Sequence, residues 1–175
     1  KMLADNKGNL VVLSGNNKLK ADYIQKALAA GLHVLADKPM IIQNADFNHL
    51  KSSFETAKKN NVLLYDIMTE RYELSTVLQR LFSMNKTIFG NLLKGSVQDP
   101  SITKESVHHF NKTVSGNTLV RPAWFMDVQQ QGEGLVDVMT HLVDLVQWEC
   151  FPDQIIDTTD ILILKSRRCP TMMSL

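Results

Sequence analysis

The sequence predicts an α/β fold built on a parallel sheet, and two features lead to that prediction. Short apolar runs alternate with amphipathic helical patterns over residues 1–85. Each run is continuously apolar instead of alternating apolar with polar, which is typical of strands in a parallel sheet that is covered on both faces. We therefore expect the strands to run in one direction, with right-handed helical crossovers between them.

Three strands and three helices are predicted in order along this region. The strands lie at residues 9–15, 32–37 and 62–68, and the helices that follow them lie at residues 20–31, 44–61 and 73–83. The first helix is expected to end at Gly31 and the second to begin at Asn44. The residues expected on the buried faces are Ala21, Ile24, Ala27 and Leu28 in the first helix, and Phe47, Leu50, Phe54 and Ala57 in the second.

The pattern changes after residue 85, which divides the chain into two predicted domains, 1–85 and 86–175. In the second part we expect, in chain order, a strand, a long loop, a helix and a final strand, at residues 87–98, 99–134, 132–148 and 158–166. A loop of this length inside a compact domain is usually functional or mobile.

The three strand–helix units correspond to half of a doubly wound, Rossmann-like sheet. The phosphate-binding sequence G-x-G-x-x-G, which opens the other half of such a fold, does not occur in the chain. We therefore expect a fragment: the C-terminal half of a Rossmann-like parallel sheet, followed by part of an α+β domain.

Ligands bind to open parallel sheets at the carboxyl ends of the strands, where residues 14–17, 36–39 and 66–72 are expected to meet. Lys38 lies at this edge, and the following Pro39 restricts its backbone. A lysine there can bind an oxyanion or exchange a proton with a hydroxyl. The alternative is a solvated lysine at the end of a strand.

A polar stripe interrupts the apolar helix predicted at residues 132–148. Asp137, His141 and Asp144 share one face, because positions i, i+4 and i+7 fall on the same side of a helix. One interpretation is a polar face in water. The other is a functional site, since a solvated face usually carries Lys, Glu and Arg, whereas short carboxylates and an imidazole bind ligands or move protons.

Two motifs resemble the Gfo/Idh/MocA family of oxidoreductases, most of all its Bacteroidetes-type members. The stretch "ALAAGLHVLADKPM" is similar to the family signature AALAAG-HVLxEKP. The stretch "RPAWFMDVQQQGEGLVDVMTHLVD" is similar to the family's Trp–Asp segment followed by GGG-L-D-x-G-x-H-x-x-D. The two motifs occur in the family's order and together cover most of the chain.

The resemblance implies an NAD(P)-dependent oxidoreductase that transfers a hydride between NAD or NADP and a sugar, inositol or related polyol. It implies that Lys38, Asp137 and His141 are catalytic, with Lys38 contacting the reacting hydroxyl and His141 accepting its proton. Asp144 is implied to bind a further substrate hydroxyl or to orient His141, and a carboxylate one turn away can hold a histidine in one orientation. The implied cofactor-binding residues are Ser14, Gly15, Asn16, Asn17, Asp37, Lys38, Pro39 and Arg71.

The long loop adds three candidates for substrate binding, His108, His109 and Trp124. The histidines either line the substrate pocket or form an exposed pair, and the tryptophan either stacks on a sugar or packs in the core. The sequence departs from the family pattern at three positions. Aspartate replaces glutamate at 37, glutamate stands between two glycines at 133, and threonine replaces asparagine at 69.

Two other functions stay open from the residues alone. The first is a metal-dependent hydrolase that holds Zn²⁺ or Mn²⁺ through Asp137, His141 and Asp144, although the ligands that such sites draw from other segments are missing. The second is a non-catalytic binding or dimerisation module. For the oxidoreductase itself no metal is expected.

The composition limits the classes of partner that the protein is expected to bind. The formal net charge of +1 argues against nucleic acid, and no apolar run is long enough to span a membrane. With only two cysteines in the chain, a reducing, cytoplasmic location is expected, although a targeting segment could lie outside these residues. We expect a homo-oligomer, a dimer or tetramer, formed through the sheet of the second domain.

Overall fold

The computed structural model describes residues 2–5, 7–107 and 112–169. The helices are α1 (Met2–Asp5), α2 (Lys20–Ala29), α3 (Phe47–Lys59), α4 (Leu74–Ser83), α5 (Lys86–Phe89), α6 (Val128–Gln131), α7 (Gly134–Asp137) and α8 (Met139–Cys150). The strands are β1 (Leu10–Leu13), β2 (His33–Asp37), β3 (Leu64–Ile67), β4 (Thr113–Val114) and β5 (Asn117–Thr118). Short 3-10 helices occupy Asn44–Asp46, Thr69–Tyr72, Ala123–Met126 and Thr158–Asp160.

The first three strands form a parallel sheet in the order β1–β2–β3, which confirms the predicted α/β fold. Helix α2 lies over this sheet with the buried face expected from its apolar spacing. It also ends as predicted, because Gly31 adopts a φ of +77°. The N–H groups of Gly31 and Leu32 then bond to the carbonyls of Leu28 and Ala27, each at 3.0 Å, which satisfies the last turn of the helix.

Helices α2 and α3 cover the same face of the sheet. They pack against each other and contribute Ile24 and Ala57 to one buried apolar cluster. The opposite face exposes Leu10 by 49%, Val12 by 56% and Tyr65 by 60%. The expectation that the sheet is covered on both faces is therefore wrong for the described residues. Both crossovers run in the same direction along the sheet, and right-handed crossovers in one direction place their helices on one face.

Helix α3 differs from its prediction in two details. A 3-10 turn precedes it, so Asn44 does not act as its cap. Phe47 and Phe54 each remain 48% exposed instead of lying in the core. The reason is that α3 meets α2 through the smaller side chain of Ser53, whose hydroxyl donates a hydrogen bond of 2.8 Å to Gln25 Oε1.

The two strands predicted after residue 85 are absent from the described residues. Residues 87–98 contain most of α5 and then irregular chain, while residues 158–166 contain a 3-10 turn followed by extended chain. A strand requires a neighbour to take its backbone hydrogen bonds, and neither segment has one in the part of the chain that the structure describes. Among the described residues beyond 85, β-structure occurs only in the hairpin β4–β5. The larger sheet that was expected to form an oligomer interface is therefore not found in the described residues.

The helix predicted at residues 132–148 is divided into α7 and α8, which meet at Val138. Gly132, just before α7, has a φ of +97°, and a Cβ atom added there would lie 2.8 Å from Ile42 Cγ2. Both the backbone angle and the close approach require glycine. This contact fastens the beginning of α7 to the segment that follows β2. Among the described residues, no helix is both long enough and apolar enough to cross a membrane.

Candidate active site

An ion pair joins the edge of the sheet to α7. Lys38, directly after β2, donates from Nζ to the backbone oxygen of Asp137 at 2.6 Å and to Asp137 Oδ1 at 2.8 Å. The two side chains are 18% and 11% exposed, so water screens the pair only weakly. The peptide bond between Lys38 and Pro39 is cis. The structure thus brings together the two motifs that the sequence analysis singled out.

A second ion pair joins the same edge to α8. Arg71, in the 3-10 helix after β3, donates from Nε to Asp144 Oδ2 at 2.7 Å and from a terminal nitrogen to Asp144 Oδ1. Two parallel bonds of this kind hold a carboxylate in a fixed orientation. The hydrogen bonds to Asp144 raise the pKa of Arg71 above its usual value. Arg71 was expected to bind the cofactor, but its guanidinium is engaged with the carboxylate.

His141 lies on α8 between these two ion pairs. Its Nδ1 atom is buried and has no hydrogen-bond partner in the part of the chain that the structure describes. Glu70 Oε1 lies 3.8 Å from that nitrogen, which is too far for a hydrogen bond but close enough for attraction to a protonated imidazole. Asp137 and Asp144 were expected to orient the histidine. They are paired with Lys38 and Arg71 instead, and the carboxylate beside His141 is that of Glu70.

A cavity of about 200 Å³ opens beside the Lys38–Asp137 pair. Besides that pair, its lining includes five residues that the sequence analysis selected: Ser14, Gly15, Asn17, Asp37 and Trp124. The ring of Trp124 packs edge-on against Phe125, with centroids 6.4 Å apart. Carboxylate, amide, hydroxyl, ammonium and aromatic groups therefore surround one cavity at the carboxyl ends of β1 and β2.

The loop after β1 is fastened to α6 by two asparagines. Asn16 Nδ2 donates to Gln130 Oε1 at 3.0 Å, and Asn17 Nδ2 donates to the backbone oxygen of Gln131 at 2.8 Å. Asn16 is not among the residues that line the cavity, and neither is Pro39. The two asparagines shape this loop through contacts within the chain.

Sequence reasoning missed Lys20, which lies beneath the cavity and is only 2% exposed. Its Nζ donates to Asn17 Oδ1 at 2.6 Å and to the backbone oxygen of Asp37 at 2.8 Å. A signal was present, because Lys20 shares the i, i+4, i+7, i+8 register of the buried residues Ile24, Ala27 and Leu28. A lysine within an apolar stripe indicates a buried cation that needs partners.

Sequence reasoning also missed Arg121, which lines the same cavity. Its guanidinium lies over the ring of Phe125, 4.1 Å from the centroid. Its proximity to Trp124 in the sequence was the available signal, but the loop shows no periodicity from which a direction could be deduced. His108 and His109, the other two loop candidates, lie outside the described residues.

A larger cavity of about 850 Å³ lies away from this cluster, between α4, α5 and the end of α8. Its one buried acid, Glu149, accepts hydrogen bonds from Gln79 Nε2 at 2.7 Å and from Lys104 Nζ at 3.1 Å. Lys104 already balances the charge of Glu149, and none of the residues that line this cavity belongs to β1–β3, whose carboxyl ends are where ligands bind to open parallel sheets. The smaller cavity beside Lys38 is therefore the better candidate for chemistry.

The hydrolase interpretation finds no support in this geometry. Among the described residues, no three His, Cys, Asp or Glu side chains are grouped as a metal ion requires. Asp137 and Asp144 each already have a cationic partner, and a metal ion would have to displace Lys38 and Arg71 from them.

Comparison with known proteins matches both parts of the chain to oxidoreductases. Residues 1–66 match the family described as "Oxidoreductase family, NAD-binding Rossmann fold", which is the Gfo/Idh/MocA family. Residues 78–175 match the family described as "Putative oxidoreductase C terminal domain". The second match covers more than half of the chain.

Among solved structures, a "putative oxidoreductase" from Parabacteroides merdae is 57% identical, with a TM-score of 0.82 over 89% of this chain and 36% of that one. An uncharacterized oxidoreductase of Schizosaccharomyces pombe is 29% identical over 82% of this chain and 34% of its own length. A levoglucosan dehydrogenase solved with NADH and levoglucosan is 18% identical, with a TM-score of 0.57 over 85% of this chain and 36% of that one, and shares the fold. The chain thus spans about a third of the length of these relatives.

Proposed function

Because the chain belongs to the Gfo/Idh/MocA family of NAD-binding oxidoreductases, we propose that the protein interconverts a hydroxyl and a carbonyl group on a sugar, inositol or related polyol, with NAD or NADP. One observation carries the proposal. Lys38 reaches from the sheet edge to Asp137, one helical turn before His141, whose Nδ1 is buried without a hydrogen bond among the described residues.

The residues at the sheet edge fit one end of a dinucleotide. Gly15 has open space where a side chain would stand, so a flat ring or ribose can approach the backbone of the loop after β1. Ser14 and Asn17 offer polar groups, and Trp124 an aromatic one, around the same cavity. These residues would hold only part of the cofactor, because the chain contains no G-x-G-x-x-G. When bound, the nicotinamide supplies the acceptor or donor of the hydride.

Lys38 and His141 are the residues that would act on the proton of the reacting hydroxyl. An alcohol that loses a hydride must also lose its hydroxyl proton, and a base beside the reacting carbon lowers that barrier. His141 can accept this proton at Nε2, because its buried Nδ1 faces Glu70 at 3.8 Å, which stabilises the imidazolium that forms. The Lys38 ammonium has one N–H that is not used on Asp137, and that N–H can donate to the reacting oxygen.

Asp144 supplies a fixed acceptor for a second hydroxyl. Arg71 holds both of its oxygens, yet each carboxylate oxygen has a further lone pair, so a sugar hydroxyl can donate to it. Trp124 offers a flat apolar surface for a sugar ring. The levoglucosan dehydrogenase that shares this fold was solved with NADH, which supports a nicotinamide cofactor.

Association into a dimer or tetramer belongs to the same proposal. Leu92 and Leu93 are 53% and 78% exposed, and Ile161–Leu164 are 51–72% exposed, although both stretches are apolar. Exposed apolar segments of this kind usually pack against another chain or another part of the protein. Sedimentation equilibrium of the full-length protein tests the state directly, and a monomer at micromolar concentration contradicts this part.

The activity is tested by mixing the full-length protein with NAD⁺ or NADP⁺ and each of a panel of sugars and polyols, namely D-glucose, D-galactose, D-xylose, D-glucuronate and myo-inositol. Formation of the reduced nicotinamide is followed by its absorbance. This chain alone is the control, expected to bind NADH weakly or not at all because the phosphate-binding sequence is not in it. No dinucleotide binding by the full-length protein would refute the proposal and leave the binding-module interpretation.

A further inference from the structure

Lys20 occupies a position that stability alone does not favour. It is the first residue of α2, where the helix macrodipole places partial positive charge, and its side chain is 2% exposed. Burial lowers the pKa of Lys20 below its usual value. A residue that contradicts local stability rules in this way is expected at functional sites, where another requirement outweighs the cost.

Two hydrogen bonds account for where the Lys20 ammonium lies. Nζ is 2.6 Å from Asn17 Oδ1 and 2.8 Å from the backbone oxygen of Asp37. The second bond holds the carbonyl of the peptide that leads into Lys38. Lys20 therefore fixes the orientation of the last peptide of β2, from which the side chain of Lys38 departs toward Asp137.

The first bond, to Asn17 Oδ1, fixes the orientation of the Asn17 side-chain amide. An ammonium group only donates, so Asn17 must present its oxygen to Lys20, and its amide nitrogen then points the other way. That nitrogen donates to the backbone oxygen of Gln131 at 2.8 Å, at the end of α6 and directly before Gly132. Lys20 thus reaches, through one asparagine, the turn from which α7 and Asp137 begin.

We propose that Lys20 is a positioning residue of the candidate active site: by holding Asp37 on one side and Asn17, with Gln131, on the other, it sets where the Lys38 amine meets α7. Lys20 is not among the residues that line the cavity, so it acts through Lys38. The inference rests on the proposed function, because the effect on rate requires Lys38 to take part in the reaction.

The test compares Lys20→Met with Lys20→Gln in the full-length protein, assayed with NAD⁺ and the panel sugar that gives the highest rate. Methionine keeps the length and removes every donor, so kcat should fall by about 10- to 100-fold, as a displacement near 1 Å can cause. KM for the sugar should change by less than about twofold. Glutamine retains two N–H donors and should keep more of the rate. Lys26→Met, an exposed lysine of the same helix, is the matched control and should change neither value.

A double-mutant cycle separates positioning from simple stability. Once Lys38→Ala has removed the group that is being positioned, adding Lys20→Met should slow the enzyme by less than about twofold. If Lys20→Met instead slows the Lys38→Ala variant by the same factor as the wild type, Lys20 acts on the fold alone and the proposal is overturned. The Lys20→Gln variant serves in the same cycle if the methionine variant does not fold.

A readout without turnover keeps this inference distinct from the proposed function. In Lys20→Met, NMR should show faster exchange of the side-chain amide protons of Asn17, because the oxygen that oriented the amide has lost its donor. Unchanged exchange would overturn the inference even if the enzyme were slow. An absence of dinucleotide binding by the full-length protein would instead refute the proposed function, and the amide exchange would still decide whether Lys20 holds Asn17.

Discussion

The two ends of the α7–α8 pair are attached to the sheet edge by different chemistry. At the α7 end, Lys38 holds Asp137 with a single rotating ammonium, and a cavity of about 200 Å³ opens beside them. At the α8 end, Arg71 holds Asp144 with a planar fork of two bonds. An ammonium can redirect a donor toward a substrate, whereas a forked guanidinium cannot give up a proton or turn. The α7 end is thus suited to chemistry and the α8 end to orientation.

Removal of Lys38 is expected to have the largest effect, because it removes the only one of the two cations that can act on a reacting oxygen. In the full-length protein, Lys38→Ala should cost about 3–5 kcal/mol in transition-state stabilisation while dinucleotide affinity changes little. The comparison is made through kcat/KM and the Kd for NADH. Lys18→Ala is the control, because Lys18 is an exposed lysine in the loop between β1 and α2. An unchanged kcat would remove Lys38 from the mechanism.

His141→Asn should be the next most severe change, since asparagine keeps the approximate size and polarity but cannot accept a proton. We expect oxidation near neutral pH to fall by about 10²–10⁴-fold, the usual contribution of a general base. In the wild type, kcat/KM should rise with pH as the imidazole loses its proton, and that limb should vanish in the variant.

The alternative for His141 is a core histidine that only fills space. That interpretation predicts a lower melting temperature with an unchanged pH profile of the residual activity. Both quantities should therefore be measured on one preparation. If a destabilised His141→Asn protein kept the wild-type rise of kcat/KM with pH, His141 would not be the general base.

Local sequence patterns were sufficient to predict the sheet and the position of Lys38 at its edge. The strand runs are continuously apolar, and parallel strands bring their carboxyl ends to one edge whatever else surrounds them. A lysine directly after β2 therefore had to lie at that edge. The resemblance to a known family then indicated which helix would face it.

Features that depend on tertiary contacts could not be predicted in this way. The apolar segment 161–164 has the composition of a strand, but pairing requires a neighbour, which no local pattern supplies. The partner of His141 was assigned by helix spacing to Asp137 or Asp144, whereas Glu70 reaches it from another segment. Lys20 shares the register of the buried face of α2, but its partners, Asn17 and the backbone oxygen of Asp37, come from other segments and could not be predicted from that register.

The position of α7 depends on the backbone conformation of one glycine, Gly132, so a measurement of stability tests how the α7 end is held. Gly132→Ala should destabilise the protein by about 1–3 kcal/mol, because alanine is strained at a φ of +97° and its Cβ would collide with Ile42. Gly134→Ala is the matched control: it has open space and should be neutral or slightly stabilising in α7. The free energy of unfolding of both variants is measured by urea denaturation. Equal stability of the two variants would mean that the turn before α7 can relax.

At the α8 end, Arg71→Lys keeps the charge and removes the fork. We expect a loss of about 1–2 kcal/mol in kcat/KM, because Asp144 is still paired but can now rotate away from the substrate. The loss should appear mainly in KM for the sugar, in contrast to the kcat loss at Lys38. If Arg71→Lys lowered only kcat, Arg71 would take part in the chemical step as Lys38 does, and the distinction between the two ends would be wrong.

The smallest effect concerns the carboxylate that lies beside His141. Glu70 is 39% exposed and 3.8 Å from Nδ1, so its attraction for the imidazolium is weakened by water. In Glu70→Gln the imidazolium that forms during oxidation loses this attraction, so kcat/KM near neutral pH should fall by less than about fivefold, as expected for a partly exposed pair.

Glu73→Gln is the control, because it removes an exposed carboxylate three positions further along the same segment. It should leave kcat/KM unchanged. Once His141→Asn has removed the imidazole, Glu70→Gln should have no further effect on kcat/KM, whereas Asp137→Asn should keep its effect, since Asp137 is bonded to Lys38 and not to the histidine. If Asp137→Asn instead lost its effect in the His141→Asn background, the carboxylate acting on His141 would be the one predicted by helix spacing, and the α7 end would serve both the lysine and the histidine.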